Sequence, residues 1–330
     1  TKAILIATFI HNPVKKLRQA LLFNGIFCNF ASQLYILKYM MQAMIFAAGL
    51  GTRLKPLTDT MPKALVRVGG EPLIKRVILN LAAAGVERIV VNVHHFAGQI
   101  IDYLKDNDNF GLDIRISDET AGLLETGGGI KKAAPLFDST APILIHNVDI
   151  LSNVDLREFY QIASQSEKGK VKSEESECGS EKGKVENEEG RGKNEESNCC
   201  DAVDAVLLVS WRKTKRYLLF NDDMKLVGWT NIETGEVRSP YPELNPKECR
   251  MYAFAGIHAL SPRLLKMMDE FPDRFGIIDF YLKACATHNI KGYVKDDLKL
   301  MDIGKLDTLA QAEEFLKELG VRNYELGITS

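Results

Sequence analysis

The feature that most constrains the fold of this chain is an alternation of short apolar runs with segments of helical spacing. The runs are rich in β-branched residues, which predicts buried strands. They are IVVNV at 89–93, DIRIS at 113–117, APILIHNVD at 141–149 and AVDAVLLVS at 202–210. Helical spacing covers 73–85 and 97–107, with Gly85 and Asn107 as predicted helix ends.

Strand–helix alternation at this pitch predicts βαβ units. The fold class expected is therefore α/β, with a Rossmann-like, mostly parallel sheet flanked by helices. Ligands of such open sheets bind beyond the carboxyl ends of the strands. The loops that follow the strands are thus where functional residues are expected.

Two segments stand apart from this pattern. Residues 1–40 contain no Asp or Glu, and a complete first strand and turn begins only at Met41. We predict that 1–40 is an N-terminal extension outside the core, with a targeting segment as the less favoured alternative. Residues 164–200 hold a near-tandem repeat with few aliphatic residues, too few to offset the entropy of ordering. They are predicted to be a disordered, low-complexity insertion, or alternatively an acidic interaction tail, within one domain spanning 41–323.

Charge and cysteine content exclude some classes of protein. A formal net charge of −2 gives no general attraction to nucleic acid or to an anionic membrane, so neither is an expected partner. The six cysteines form no CxxC pair and no Cys/His metal spacing. Such cysteines are typical of reduced thiols, which predicts a cytoplasmic location. The oligomeric state stays open at this point.

The loop after the first strand carries most of the functional signal. GLGTRLKPLTDTMPKALVRVGGEPLI runs from Gly49 to Ile74. Gly49 and Gly51 let backbone N–H groups approach a phosphate closely. Arg53 and Lys63 add cations that can face the phosphates of a nucleotide. A Walker A loop is excluded because no Gly-Lys-Ser/Thr triplet follows, and a dinucleotide fingerprint is excluded because Leu54 stands where its third glycine would be.

This loop resembles the signature of the sugar-1-phosphate nucleotidyltransferases. The resemblance rests on Gly49 to Arg53, Pro56 to Thr58, Pro62-Lys63 and Gly70 through Ile74, and it covers most of 41–320 apart from the insertion. It implies the nucleotide-diphospho-sugar transferase type of α/β fold. It also implies transfer of a nucleoside monophosphate from an NTP to a sugar 1-phosphate, with pyrophosphate released. Nucleotide contacts are implied for Ala48, Gly49, Gly51 and Thr52, and catalytic roles for Arg53 and Lys63.

The resemblance also implies Mg²⁺, which prefers one or two carboxylates plus phosphate oxygens. Asp149, at the end of the strand ILIHNVD, and Asp302, in LMDIGKLD, match the metal aspartates of the family. The sequence departs from the family at Val148, where a glycine is usual, and at Lys305, where a threonine is common. An aspartate at a strand end is often only a cap, so it is the pairing with the phosphate loop that favours ligation.

A second glycine-rich loop, GLLETGGGIKKA at 122–133, resembles the base- and ribose-contacting loop of the family. Its L-E-T-G-G-G form is most similar to the branch that acts on N-acetylmuramate 1-phosphate with UTP, which implies a role in cell-wall precursor synthesis. Glu125, Thr126, Gly127 and Gly128 are the predicted nucleotide-pocket residues. A flexible helix start is the simpler alternative, because glycine clusters are common turn signals.

The acceptor side is less well marked. AFAGIHALSP at 253–262 resembles the strand that borders the sugar, which makes Gly256 a candidate sugar-binding residue together with Asn147. Many relatives carry a lysine that contacts the sugar phosphate, and the comparable region of this chain has none. Arg216 or Lys215 are candidates to replace it. Trp211 and Trp229 are expected to belong to the core rather than to stack on a ligand.

Rival functions remain open. Within the same enzyme class they are a mannose- or heptose-1-phosphate guanylyltransferase and a phosphocholine cytidylyltransferase. From another class, the rival is a catalytically silent regulatory subunit of the same fold. The joint presence of Arg53, Lys63, Asp149 and Asp302 argues against the silent subunit, which has no need for charges that act on a transferring phosphate.

Overall fold

A computed structural model of the protein describes residues 40–164 and 202–320. The predictions for 1–39, for 165–200 and for 321–323 lie outside the described residues. The strands are β1 Met41–Phe46, β2 Arg67–Val68, β3 Glu71–Pro72, β4 Val86–Val93, β5 Asp113–Asp118, β6 Ile143–Asn147, β7 Ile150–Ser152, β8 Ala205–Ser210, β9 Arg216–Phe220, β10 Leu226–Asn231, β11 Glu236–Arg238, β12 Arg250–Leu260, β13 Ile290–Val294 and β14 Leu300–Asp302. The helices are α1 Leu73–Ala84, α2 Ala97–Asp106, α3 Glu125–Ala133, α4 (156–164), α5 Arg263–Met267, α6 Ile277–Ala284 and α7 Leu306–Glu318.

Ten strands form the main sheet, in the order β11-β10-β9-β12-β6-β1-β4-β5, with β8 and then β13 paired beside β12. β1 pairs in parallel with β4 and β6, β4 with β5, and β8 with β13. β12 runs antiparallel to both β6 and β8. The predicted α/β fold with a mostly parallel sheet is confirmed.

Both faces of the central strands are buried, which explains why they are continuous apolar runs. In β1, Ala43 and Ile45 pack into one hydrophobic cluster and Met44 into a second cluster on the opposite face. Helices α1, α4 and α7 cover the first face, and α3 and α6 cover the second. Successive side chains of a strand point to opposite faces, so alternate residues reach alternate helix layers.

Helix ends follow the residues that the sequence indicated. α1 ends at Gly85, whose φ of 99° is left-handed and whose N–H donates to the carbonyls of Leu81 and Ala82. A glycine adopts that conformation without the steric cost of a Cβ. α2 ends at Asn107, which is its C-cap residue. Both predicted helix ends are confirmed.

The strand β12 positions the second half of the site. Its residues Ile257–Leu260 pair with β6, whereas Arg250–Tyr252 pair with β9. The amino-terminal half of β12 therefore continues past the carboxyl end of β6. There β9, β10 and β11 form an antiparallel extension, which the helix-and-strand spacing of the sequence did not predict.

Within the described ranges, no helix is both long and apolar enough to cross a membrane. The expectation for the two tryptophans is wrong for one of them. Trp229 is partly buried against the second hydrophobic cluster, but the side chain of Trp211 is 69% exposed, with its ring centroid 4.4 Å from that of Tyr252.

Candidate active site

A cleft of about 490 Å³ lies at the carboxyl ends of β1, β4 and β6. The residues that line it come from the carboxyl ends of β1, β4 and β6, from the loop after β1, from the loop between β5 and α3, from the start of α3, and from the turns after β6 and β14. They are Phe46, Ala47, Ala48, Gly49, Leu50, Gly51, Thr52, Arg53, Lys63, Asn92, Glu119, Leu123, Glu125, Thr126, Asn147, Val148, Asp149 and Gly304.

The loop after β1 is held by backbone contacts that fix its entry into the cleft. The N–H groups of Ala47 and Ala48 donate to Asn92 Oδ1 at 2.7 and 3.3 Å. Gly51 has a φ of 64°, and a Cβ there would lie 2.8 Å from Thr58 Cγ2. At Gly49 a Cβ would meet nothing within 4 Å. Gly51 thus shapes the loop, while Gly49 leaves open space where a ligand can approach the backbone.

Two cations of this loop, Arg53 and Lys63, reach the cleft. Arg53 lies in a short 3-10 turn, Thr52–Leu54, and is exposed. Its guanidinium passes close to Gly304, where a Cβ would lie 2.8 Å from Nη2. Lys63 begins a second turn, Lys63–Leu65, and is buried. Its Nζ forms an ion pair with Asp149 Oδ2, so one cation is fixed to a carboxylate and the other is open to solvent.

The two aspartates are brought together by a small antiparallel ribbon. β7 begins directly after Asp149 and pairs with β14, in which Asp302 is opposite Ile150. The N–H of Ile303 donates to the carbonyl of Asp149 at 2.8 Å. The residues are 153 positions apart in sequence, yet this pairing places their side chains within electrostatic range of each other.

Burial raises the pKa of the Asp302 carboxyl, and the neighbouring charge of Asp149 raises it further; the positive charges of Lys63, Arg53 and Arg212 act in the opposite direction. Asp302 Oδ1 is also buried without a hydrogen-bond partner among the described residues. A buried acceptor in that state costs free energy unless a ligand satisfies it. These observations describe an anionic pair with unused coordinating capacity.

A buried polar network links the loop after β1 to the loop before α3. Glu119 is fully buried; Asn92 Nδ2 donates to its Oε1 at 2.8 Å, and the N–H of Leu124 donates to its Oε2 at 3.2 Å. Since Asn92 also accepts from Ala47 and Ala48, it couples the two loops. Sequence reasoning missed both residues. The available signal was a single amide inside the apolar strand IVVNV, at the end nearest the cleft.

The second glycine-rich loop is divided between two roles. Glu125 and Thr126 line the cleft. Gly127 and Gly128 are not among the lining residues. A Cβ on Gly127 would lie 2.2 Å from the Phe275 ring, and a Cβ on Gly128 would lie 2.1 Å from the Asp273 carbonyl oxygen. The structure thus gives these two glycines a packing reason, namely the close approach of the segment that precedes α6.

Two of the residues predicted to bind the sugar, Asn147 and Gly256, lie next to each other, and of the two only Asn147 lines the cleft. Gly256 has a φ of 78°, and a Cβ there would lie 2.7 Å from Asn147 Nδ2. Val148 lines the cleft, although it is nearly fully buried and packs in the first hydrophobic cluster. Arg216, at the start of β9, is exposed and does not line the cleft, and Lys215 is paired with Glu233 at 2.6 Å.

Comparison with known proteins agrees with this geometry. Residues 42–190 match the family model described as Nucleotidyl transferase. The chain is 46% identical over 124 residues to an N-acetylmuramate alpha-1-phosphate uridylyltransferase of Neisseria meningitidis, covering 38% of this chain and 53% of that protein. It is 50% identical over 109 residues to the protein of the same name from Caulobacter vibrioides, covering 32% and 45% of the two chains. The matched region thus spans about half the length of these relatives.

Among solved structures, HddC from Yersinia pseudotuberculosis complexed with GMP-PN superposes with a TM-score of 0.55 at 20% identity, over 83% of this chain and 99% of that chain. This likeness concerns the fold alone. Together the matches confirm the resemblance to the sugar-1-phosphate nucleotidyltransferases and the fold that it implied.

Proposed function

We propose that this protein transfers a nucleoside monophosphate from an NTP to a sugar 1-phosphate and releases pyrophosphate. One observation supports this most strongly. Arg53, Lys63 and Asp149 line a single cleft at the carboxyl ends of the parallel strands, and the Asp302 carboxyl lies beside the Asp149 carboxyl. Positive charge and a carboxylate pair converge where the triphosphate of a nucleotide would lie.

In the proposed reaction an oxygen of the sugar phosphate attacks the α-phosphorus of the NTP. The new P–O bond forms as the bond to the bridging oxygen of the β-phosphate breaks, and that electron pair leaves with pyrophosphate. The second pKa of a phosphate monoester is about 6, so the nucleophile arrives deprotonated near neutral pH. No general base is required, and the main obstacle is repulsion between two polyanions.

The residues of the cleft would lower that repulsion by fixed positive charge. Arg53 is exposed at the mouth of the cleft and would bind the leaving β- and γ-phosphates, which its planar fork of N–H donors suits. Lys63 is buried beside Asp149 and would lie at the α-phosphate. Gly49 leaves room for the phosphate chain to approach the backbone, and the network of Asn92 and Glu119 would hold the two loops in place.

The aspartate pair fits a divalent cation. Asp302 Oδ1 is a buried oxygen without a hydrogen-bond partner in the described structure, and Asp149 lies close enough to raise the pKa of Asp302. No group of three or more His, Cys, Asp or Glu side chains able to hold a metal occurs in the described ranges. Two carboxylates alone suit Mg²⁺, which takes its remaining ligands from phosphate and water. When bound, the ion would supply charge neutralisation between the two phosphate groups.

We further infer UTP as the nucleotide and N-acetylmuramate 1-phosphate as the acceptor, because both relatives described above carry that activity in their names. A guanylyltransferase activity is the alternative, since a mannose-1-phosphate guanyltransferase of Kluyveromyces lactis is 39% identical over 121 residues. The base and the sugar are therefore the two variables to test.

A pyrophosphate-release assay over a grid of substrates tests this proposal. UTP, GTP, CTP and dTTP are each combined with N-acetylmuramate, glucose and mannose 1-phosphates in the presence of Mg²⁺. We expect the highest kcat/KM for UTP with N-acetylmuramate 1-phosphate, and loss of turnover when Asp149→Asn or Asp302→Asn is introduced. A best rate with GTP and mannose 1-phosphate would favour the guanylyltransferase. Unchanged turnover in both aspartate variants would refute the metal assignment.

A further inference from the structure

The loop that follows β8 places an arginine at the acceptor side of the cleft. β8 and β6 are both antiparallel to β12, so their carboxyl ends lie at the same edge of the sheet. β8 ends at Ser210, and Arg212 follows two residues later. Topology alone therefore carries Arg212 to the edge at which Asn147 and Asp149 leave β6.

A hydrogen bond fixes this arginine to β12. Arg212 Nη2 donates to the carbonyl of Phe254 at 3.0 Å. Gly256, two residues after Phe254 in β12, has a positive φ and lies against Asn147, which lines the cleft. The register of β12 against β8 also shifts between Phe254 and His258. Arg212 is thus attached to the irregular part of β12 that faces Asn147.

The charges of the cleft leave a role for an additional cation on this side. Lys63 is committed to Asp149 by their ion pair, and Arg53 belongs to the loop after β1. The carboxylates of Asp149 and Asp302 would repel the phosphate of an acceptor sugar. An exposed guanidinium has five N–H donors, and the contact with Phe254 uses one of its nitrogens.

We propose that Arg212 binds the phosphate of the acceptor sugar 1-phosphate. The inference rests on the proposed function and deepens it by assigning a residue to the acceptor subsite. A planar guanidinium bound to two phosphate oxygens would orient the third for attack. Because the guanidinium binds the phosphate, we expect a sugar that lacks the phosphate to bind poorly.

The exposure of Arg212 allows a clean test. Arg212→Ala and Arg212→Lys are compared with wild type, and Lys213→Ala, the exposed neighbour in the same loop, is the matched control. KM is measured separately for the sugar 1-phosphate and for the NTP. We expect Arg212→Ala to raise the acceptor KM roughly 10- to 100-fold and to leave the NTP KM within about twofold, as for loss of a charged hydrogen bond to one substrate. Arg212→Lys should be intermediate, and guanidinium ion should restore part of the activity of Arg212→Ala.

The outcomes separate this inference from the proposed function. An acceptor KM in Arg212→Ala that matches wild type, or an equal rise in both KM values, overturns the assignment of Arg212 while the proposed function stands. If the wild-type protein releases no pyrophosphate with any substrate pair, both the proposed function and the assignment of Arg212 are refuted. Equilibrium titration of the NTP with each variant checks that the nucleotide half of the cleft is intact, and thermal unfolding checks the fold.

Discussion

At the scale of single residues, this molecule places several ionisable side chains where water cannot solvate them. Asp302 at the cleft is one, and His258 in β12 is another, remote from the proposed chemistry. His258 Nδ1 and the hydroxyl of Tyr281 share a hydrogen bond of 2.6 Å. Burial lowers the pKa of His258 to about 3 and raises that of Tyr281. The histidine is therefore neutral in the folded protein.

This burial predicts a loss of stability in mild acid. The unfolded histidine has its ordinary pKa of about 6.5, so below that pH the unfolded chain takes up a proton that the folded chain refuses. The resulting loss in the free energy of unfolding is absent well above pH 6.5 and grows as the pH falls towards 3. At pH 5 it amounts to about 2 kcal/mol for one such histidine. His146, whose pKa burial lowers to about 4, adds a second contribution of the same sign.

The variant His258→Asn tests this reasoning, because an amide can still hydrogen-bond to Tyr281. The free energy of unfolding is measured by denaturant titration at pH 7.5 and at pH 5. We expect the loss between the two pH values to be smaller in the variant by about 2 kcal/mol. Equal losses in the variant and the wild-type protein would contradict a neutral, buried His258.

At the scale of elements, α3 has a glycine-rich sequence because another segment of the chain packs closely against it. Its three consecutive glycines oppose helix formation, since each costs about 1 kcal/mol relative to alanine. Gly127 and Gly128 lie where the chain before α6 runs against the helix with no space for a Cβ, and Gly129 lies against the buried Glu119 side chain. Two N–H groups of the helix, from Gly127 and Gly128, donate to the carbonyl of Phe275 at 2.9 and 3.2 Å. The contact thus ties the cleft-lining start of α3 to the α6 region.

Gly128→Ala should therefore destabilise the protein, because its Cβ would lie 2.1 Å from a backbone oxygen. We expect a loss of roughly 1–3 kcal/mol or more in the free energy of unfolding, typical of overpacking. The matched control is Gly98→Ala in α2, where a Cβ meets nothing within 4 Å and where we expect a gain of up to about 1 kcal/mol. If both variants had the same melting temperature, the packing account of the glycine cluster would be refuted.

The loop after β1 and the glycine cluster of α3 mark the limit of prediction from sequence. The Gly49–Lys63 loop could be predicted because its glycines and cations lie within one local segment that follows a strand. Gly127 and Gly128 signal a close approach equally well. What approaches them is a segment nearly 150 residues later in the chain, and nothing local indicates it. Trp211 was misjudged for the same reason, since its position depends on how far β12 extends past β6.

At the scale of the whole molecule, the described residues that line the cleft all fall between 46 and 149 or at Gly304. We propose that one catalytic domain spans 41–323 and that 164–200 is an insertion between α4 and β8. Replacing 165–201 with a short Gly/Ser linker should leave kcat and both KM values within about twofold, because loop length changes closure entropy only slowly. A large fall in kcat in a variant with unchanged thermal unfolding would show that the segment takes part in catalysis.

In the proposed site, Arg53, Lys63, Asp149 and Asp302 surround one triphosphate. A crystal structure with Mg²⁺ and a UTP analogue that cannot be cleaved between its α- and β-phosphorus would show this arrangement. We expect phosphate oxygens within hydrogen-bond distance of Arg53 and Lys63, and a metal ion held by Asp149, Asp302 and the nucleotide. A triphosphate bound outside this cleft, or an ion held without either aspartate, would contradict this arrangement.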